Sequence, residues 1–332
     1  MGPAIGKFAV VLNKNAKKVT REIADISGEL VPPDDLFLSA SAKDSEQIAK
    51  TLIERNYEAV FAGGGDGTVM HLVNQLARYP IEQQPAIGIL KLGTGNAMAT
   101  MVASDNIAAD LKTYIRSATR EVLTLSMVET EGIRCPFTGV GLDAEILNDY
   151  RSTKSIWSNN VLKPLIESVG GYFFAIFTRT IPRRTGATLL SRQPEVKVTV
   201  RKGPAHRISV QGDLLEEYGV GDVLYDGPLT ITLAGTVPFY GYGFRILPHA
   251  TVDPQRMQLR VTNITAAEAL SRLPSLWKGE IDMDCVHDFL VPEVHIELSD
   301  DAPFQIGGDA AGRRREVTFK TIPNCVRLLR LL

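Results

Sequence analysis

The stretch Ala59–Val69, AVFAGGGDGTV, decides the fold of the N-terminal part of this chain. The short apolar run Ala59–Ala62 is typical of a buried strand, and a run of glycines follows it. Glycines let the backbone adopt positive φ and approach a ligand closely. From Val69 to Ala77 the apolar residues recur at helical spacing. The stretch therefore predicts a strand, a glycine loop and a helix in direct succession.

The same order of elements is repeated on both sides of this stretch. Apolar runs at Lys7–Leu12 and Ala86–Leu90 predict two further buried strands. Helical spacing predicts a helix over Ser45–Arg55, and another helix is expected from Ala97. Alternating strands and helices indicate a parallel sheet covered by helices, so we expect a Rossmann-like α/β domain.

After Arg120 the pattern changes to short β runs. Residues alternate strictly in Glu195–Arg201 and in parts of Leu229–Leu233 and Glu293–Leu298, between turns rich in Gly, Pro and Asp. This pattern is typical of a β-sandwich-like domain. The predicted fold class is therefore α/β + β, with a cleft between the two domains.

The length of 332 residues suits about two domains. We expect the α/β domain over residues 1–125 and the β-rich domain over residues 126–317. A helical insertion is predicted around residues 160–177. The apolar segment 318–332 is expected to pack back on the first domain.

Composition excludes several classes of protein. Apolar residues make up 44% and charged residues 22%, which excludes a disordered chain. The net charge of -2 argues against a nucleic-acid-binding protein, because such proteins are usually basic. Cys135, Cys285 and Cys325 lie far apart, which argues against a disulfide framework or a cysteine zinc site. We therefore expect a reducing, cytoplasmic location.

Membrane-spanning sequence is not expected either. The N-terminus lacks the pattern of a signal peptide. The most apolar stretch, Val169–Phe177, is shorter than the ~20 residues that a spanning helix needs. We therefore predict a protein without a transmembrane segment.

A second glycine loop, Leu92–Asn96 (LGTGN), follows the next predicted strand. Neighbouring loops at the carboxyl ends of parallel strands converge on one crevice, and a helix start favours phosphate. The two loops, their threonines Thr68 and Thr94, and Asn13 at the end of the first strand predict a nucleotide site. Neither loop carries a Walker motif or a complete dinucleotide-binding motif.

Asp66 lies inside the first loop, where a carboxylate would repel phosphate. A bridging Mg²⁺, or a hydrogen bond to a sugar or a reacting hydroxyl, would resolve this conflict. A tight turn in which Asp66 caps the helix is the alternative. His71, one turn beyond Thr68, is expected on the helix surface rather than as a ligand.

These motifs resemble the diacylglycerol kinase catalytic-domain family, which includes bacterial lipid kinases and sphingosine kinases. Gly64–Thr68 (GGDGT) followed by Leu92–Asn96 carries the resemblance. Gly139–Ala144 (GVGLDA) and Phe239–Gly243 (FYGYG), the latter leading to a P-x-A turn at Pro248, extend it over most of the chain. NAD kinases share the GGDGT loop, but the LGTGN element indicates the lipid branch.

The resemblance implies an ATP-dependent kinase of a lipid hydroxyl, with a diacylglycerol-like substrate and ATP held between the two domains. It implies nucleotide contacts from the two loops and the first strand end, namely Asn13, Gly64, Gly65, Gly67, Thr68, Gly93, Thr94 and Asn96. Asp66 would serve the Mg²⁺–phosphate centre, and Asp143 would support catalysis or a metal nearby.

A kinase of membrane lipids implies peripheral contact with a membrane surface. The aromatic stretch Tyr172–Phe177, followed by Arg179, Arg183 and Arg184, suits such an interface. A core helix whose end is solvated by arginines is the alternative. The oligomeric state is not indicated by the sequence.

The family's D-G-E motif, whose Glu is the general base, is altered here. Phe304–Ala311 is FQIGGDAA, and without a gap Asp309 falls on the family's Glu and Gly307 on its Asp. In the other register Ala311 takes the place of the Glu and no base remains. We prefer the first register, with Asp309 as the base; an ordinary turn residue is the alternative.

Two further functions stay open at this point. The altered motif suggests a catalytically silent regulator that binds a nucleotide or a lipid. The shared GGDGT loop leaves a kinase of a soluble hydroxyl compound, similar to NAD kinase.

Overall fold

The structure, a computed structural model, describes residues 6–16, 21–92, 97–102, 107–116, 121–142, 144, 194–240 and 243–330. The chain divides into two compact units. Unit 1 comprises Met1–Met127, Gly241–Gly243 and Ile322–Leu332, and unit 2 comprises Val128–Tyr240 and Phe244–Thr321.

Unit 1 contains a parallel sheet. Its strands are β1 (Phe8–Asn13), β2 (Leu36–Ser39), β3 (Ala59–Gly64) and β4 (Ala86–Lys91). They lie in the order β2-β1-β3-β4, and Leu328 of the C-terminal segment aligns in parallel with Ile87 of β4. β3 is buried along its whole length, as expected of a central strand covered on both faces.

Helices follow the strands of unit 1. They are α1 (Arg21–Leu30), α2 (Ala42–Glu54), α3 (Asp66–Leu76) and α4 (Ile107–Arg116). α2 begins with a capping box, in which Ser41 accepts the Asp44 N–H and the Asp44 carboxylate accepts the Ser41 N–H. The helix predicted from Ala97 is wrong, because a turn and a short 3₁₀ helix, Ala99–Met101, occupy the described part of that segment.

One core cluster of unit 1 lies between the sheet and helices α1 and α4, and helices α2 and α3 bury apolar residues as well. Aromatic rings of three elements meet edge to face in it, with Phe61 of β3 and Phe8 of β1 both packed against Tyr114 of α4. Phe61 and Tyr114 are buried. This cluster holds the central strand, and with it the loop that follows β3.

Unit 2 is rich in antiparallel strands. The strands from β5 onward are β5 (Glu121–Thr130, which begins in unit 1), β6 (Ile133–Cys135), β7 (Phe137–Gly141), β8 (Glu195–Lys202), β9 (Ala205–Ile208), β10 (Leu214–Tyr218), β11 (Val223–Pro228), β12 (Ile231–Gly235), β13 (Met257–Thr262), β14 (Val286–Val291), β15 (Glu293–Ile306) and β16 (Asp309–Arg330, which ends in unit 1). Two short helices, α5 (Ala266–Ser271) and α6 (Leu273–Lys278), follow β13.

The strand order in unit 2 is β10-β9-β14-β13-β12-β7-β15, and β15 also pairs with β8 and β16. β15 pairs with β8 through Glu293–Leu298 and with β7 through Phe304–Ile306. The long β15–β16 hairpin therefore connects two groups of strands, and the predicted β-rich second domain is confirmed.

The β15–β16 hairpin has a tight turn at Gly307 and Gly308. Both glycines have positive φ, 57° and 83°, and Ile306 lies opposite Asp309. Two consecutive residues with positive φ are typical of a two-residue hairpin turn, which favours glycine at both positions. The G-G-D sequence is therefore explained locally by the turn.

Candidate functional site

Three strands end together at the carboxyl edge of the unit 1 sheet. Leu12 of β1 aligns with Gly63 of β3, and Gly64 of β3 aligns with Lys91 of β4. Asn13, the last residue of β1, therefore lies beside the glycine loop. Lys91, the last residue of β4, is exposed at this edge and was not predicted as a site residue. A lysine at the end of an apolar strand is the sequence signal that could have marked it as a candidate.

Asn13 and Thr68 are joined by their side chains. Asn13 Nδ2 donates a hydrogen bond of 2.9 Å to Thr68 Oγ1, and Asn13 Oδ1 accepts the Asn15 N–H, also at 2.9 Å. Because Thr68 Oγ1 accepts from Asn13, its own proton is directed to another acceptor. A phosphate oxygen at the start of α3 would be a suitable acceptor.

Gly64 is required for a different reason from the one that the sequence suggested. A Cβ at Gly64 would lie 2.3 Å from Thr68 Oγ1, and one at Gly63 would lie 2.4 Å from Leu12 Cδ2. Gly65 has φ -96° and ψ -177°, which is extended backbone, and Gly63 and Gly64 belong to β3. The expectation of positive φ is therefore wrong for these three glycines, and close packing at Gly63 and Gly64 replaces it.

Asp66 is the first residue of α3, and Gly65 is the N-cap. The alternative in which Asp66 caps the helix is therefore wrong. Its carboxylate reaches the segment after β4, where Oδ2 accepts the Ala97 N–H at 3.0 Å and Oδ1 accepts the Met98 N–H at 3.2 Å. Gly67, the next residue of α3, is exposed.

The Ala97 and Met98 amides are the partners that sequence reasoning missed. Ala97 is 1% exposed and Met98 is fully buried. Every residue except proline has a backbone N–H, so no side-chain pattern marks these two donors.

The burial of His71 was also not predicted. His71 is half-buried, and its Nε2 atom lacks a hydrogen-bond partner in the part of the chain that the structure describes. The expected surface position of His71 is wrong.

Asp309 belongs to unit 2 and Asp66 to unit 1. Asp309 is exposed at the start of β16, directly after the Gly307–Gly308 turn. Three hydrogen bonds hold this turn, since the Gly307 N–H donates to the Phe137 carbonyl at 2.9 Å, the Gly308 N–H donates to Gln305 Oε1 at 2.8 Å, and Thr138 Oγ1 donates to the Gln305 carbonyl at 2.7 Å. These hydrogen bonds therefore hold the backbone of the turn that precedes Asp309.

Several predicted residues lie outside the described residues. They are Gly93, Thr94, Asn96, Asp143, the insertion at 160–177, the aromatic stretch Tyr172–Phe177 and the arginines Arg179, Arg183 and Arg184. Their roles stay predictions. In the residues that the structure does describe, no helix has the length and apolar character needed to cross a membrane.

Comparison with known sequences confirms the resemblance. Residues 7–127 match the family model for the diacylglycerol kinase catalytic domain. A Yersinia pestis (strain Pestoides F) protein named probable lipid kinase YegS-like is 24% identical over 291 residues, which cover 85% of each chain. A Cronobacter sakazakii protein of the same name is 29% identical over 117 residues, which cover 35% of this chain and 39% of that protein.

Solved structures confirm the fold class. A diacylglycerol kinase structure from Bacillus anthracis str. Sterne superposes with a TM-score of 0.64 at 16% identity, covering 98% of this chain and 97% of that one. A second structure, of a putative diacylglycerol kinase from the same organism, gives 0.64 at 17% identity with 97% of each chain covered. The α/β + β architecture is therefore shared with these proteins.

Proposed function

We propose that this protein is a lipid kinase that transfers the γ-phosphoryl group of ATP to the hydroxyl of a diacylglycerol-like lipid. The observation that carries the proposal is the set of side-chain hydrogen bonds that connects the elements at the carboxyl edge of the unit 1 sheet. There the Asn13–Thr68 bond joins the end of β1 to the first turn of α3, and Asp66 joins the start of α3 to the segment after β4. The family match over residues 7–127 and the YegS-like relatives support it.

The proposed phosphate contacts follow from the start of α3. The first N–H groups of a helix have no acceptor within it, and the helix dipole favours negative charge there. Gly65 and Gly67 bear no side chain that would obstruct a phosphate, and the Thr68 hydroxyl adds a donor. Gly93, Thr94 and Asn96 would extend these contacts from the second loop.

Asp66 fits a Mg²⁺ ion that arrives with the nucleotide. Its carboxylate accepts the N–H groups of Ala97 and Met98, and carboxylate oxygens are ligands that Mg²⁺ takes in proteins. Among the described residues no three His, Cys, Asp or Glu side chains are grouped to hold a metal ion. Mg²⁺ commonly takes one or two carboxylates plus substrate phosphates, so Asp66 would hold it, with Asp143 as the second candidate. When bound, the ion would offset the negative charge of the phosphates.

In the proposed reaction Asp309 accepts the proton of the lipid hydroxyl. The hydroxyl oxygen forms a bond to the γ-phosphorus, and the bond from that phosphorus to the β–γ bridging oxygen breaks, which releases ADP. General-base assistance contributes about 10²–10⁴-fold to a rate.

A kinase of a membrane lipid must also reach the membrane surface. We therefore propose a cytoplasmic enzyme that makes peripheral contact with a membrane.

The test is transfer from labelled ATP to vesicles that contain diacylglycerol, monoacylglycerol, sphingosine or phosphatidylglycerol. We expect transfer to diacylglycerol, loss of turnover in Asp309→Ala, and unchanged nucleotide affinity in that variant by calorimetry. Asp301→Ala on the same hairpin is the matched control and should retain turnover. Full activity of Asp309→Ala would refute its role as the base.

A catalytically silent regulator is the second candidate. The Gly307–Gly308 turn accounts for the glycines that replace part of the D-G-E motif, and it does so by backbone conformation without any catalytic role for Asp309. Nucleotide binding without transfer to any lipid would favour it. Phosphorylation of NAD in the absence of vesicles would instead establish a kinase of a soluble compound. No binding of ATP would contradict both kinase functions and a nucleotide-binding regulator.

A further inference from the structure

We propose that Asp66 is a positioning residue that holds the segment after β4 in place before any nucleotide or metal binds. It acts through the backbone amides of Ala97 and Met98, which its two carboxylate oxygens accept at 3.0 and 3.2 Å. The inference deepens the proposed function, since this segment follows the second predicted nucleotide loop.

The described residues on both sides of the second predicted loop are hydrogen-bonded to the segment 64–66. Ahead of it, the Leu92 N–H donates to the Gly64 carbonyl at 3.3 Å. Behind it, Ala97 and Met98 donate to Asp66. Leu92 and Ala97, the described residues on either side of 93–96, are therefore both hydrogen-bonded to the segment 64–66, in which Asp66 accepts through its side chain.

Burial makes the Asp66 anchor important. Ala97 is 1% exposed and Met98 is fully buried, so water does not replace a lost acceptor easily. A buried N–H without an acceptor is costly, and a carboxylate forms stronger bonds to N–H groups than a neutral acceptor does. Without the carboxylate, two adjacent buried amides lose the acceptor that Asp66 provides.

Asp44 shows what an ordinary carboxylate does at a helix start. Its Oδ2 accepts the N–H groups of Ala40 and Ser41 at 2.9 and 3.0 Å, at most four residues away. The Asp66 partners are 31 and 32 residues away and belong to a different loop. Asp44 therefore provides a matched control for a carboxylate that accepts two amides only within its own turn.

The test is amide hydrogen exchange on the full chain with EDTA present and nucleotide absent. We expect the Ala97 and Met98 amides to exchange at least tenfold faster in Asp66→Ala. Asp66→Asn should show a smaller increase, because an amide oxygen replaces one of the two acceptors. Asp44→Asn should accelerate Ala40 and Ser41 and leave Ala97 and Met98 unchanged.

Unchanged exchange at Ala97 and Met98 in both Asp66 variants would overturn the proposal. The Asn variant keeps the size of the side chain, so a folding defect in Asp66→Ala leaves the test intact. Because nucleotide is absent, the comparison decides the positioning role whether or not the chain is a kinase.

A second readout separates positioning from metal binding. With EDTA present, we expect the Asp66→Asn variant to bind ADP at least threefold more weakly than the wild type in calorimetry. A loss of nucleotide affinity that appears only with Mg²⁺ would show a metal ligand alone and would overturn the positioning role.

Discussion

Arg260 of β13 and Asp288 of β14 form a buried, bidentate ion pair. Arg260 Nε donates to Asp288 Oδ1 at 2.9 Å and Arg260 Nη2 donates to Asp288 Oδ2 at 2.7 Å, and each side chain is 4% exposed. Gln258 Nε2 adds a third bond to Asp288 Oδ1 at 2.9 Å. Arg260 Nη1 is buried and, among the described residues, has no hydrogen-bond partner.

Removing one member of this pair should be more damaging than removing both. Arg260→Met or Asp288→Leu alone leaves a buried charge without its partner, which costs about 3–5 kcal/mol of the free energy of unfolding. The double variant removes both charges and should be closer to the wild type than either single variant. Urea denaturation of the three variants measures this, and a double variant that loses the sum of the two single losses would contradict it.

The Asn13–Thr68 hydrogen bond should appear as a coupling energy. Asn13→Ala and Thr68→Val each break the same bond, so the double variant should lose less free energy of unfolding than the sum of the single losses. The expected coupling is about 0.5–1.5 kcal/mol. Thr51 donates to Gln47 within α2, so Thr51→Val combined with Asn13→Ala should be additive. Additivity for Asn13 and Thr68 would show that the bond contributes nothing.

Two glycine-to-alanine changes should have opposite effects on stability. At Gly64 the new Cβ would meet Thr68 Oγ1 at 2.3 Å, so Gly64→Ala must displace Thr68 and should cost about 1–3 kcal/mol. At Gly28 in α1 nothing lies within 4 Å of the new Cβ, so Gly28→Ala should stabilise the fold by about 0.5–1 kcal/mol. Thermal unfolding of both variants checks the signs, and a neutral Gly64→Ala would argue against the close approach.

His287 should make the protein less stable in mild acid. Burial lowers the pKa of His287, the Arg207 charge lowers this pKa further, and the neighbouring carboxylates oppose the shift. The unfolded chain therefore binds a proton near the ordinary pKa of about 6.5, whereas the folded chain resists it. His287 thus contributes no penalty above that pH and a growing loss of stability as the pH falls below it.

His287→Phe tests this effect and keeps an aromatic ring against Tyr225, whose centroid is 5.1 Å from that of His287. Between pH 7.5 and 5.5 the free energy of unfolding should fall more in the wild type than in this variant. Equal losses would show that the protonation of His287 is not coupled to folding.

Local patterns predicted strands β1, β3 and β4 and helices α2 and α3 of unit 1, because periodicity and capping depend on residues close in the chain. The helix expected from Ala97 is wrong, because a turn and the short 3₁₀ helix Ala99–Met101 occupy the described residues 97–102. In this turn the Asp66 carboxylate accepts the Ala97 and Met98 N–H groups. Helix α1 and strand β2 were not predicted. Strand β2 has four residues, whereas Ile23, Ile26 and Leu30 of α1 recur at helical spacing, so the signal for that helix was present in the sequence.

The amino-acid sequence alone determined the two glycine-rich motifs and the strand before each of them, and it carries the expectation of a phosphate ligand, since these depend on residue type and short spacing. Tertiary structure decided which groups those loops bind to within the protein. Asp66 is 31 residues from Ala97, and its partners are backbone amides that every residue type except proline offers. Only the parallel packing of β3 beside β4 brings such groups within hydrogen-bonding distance.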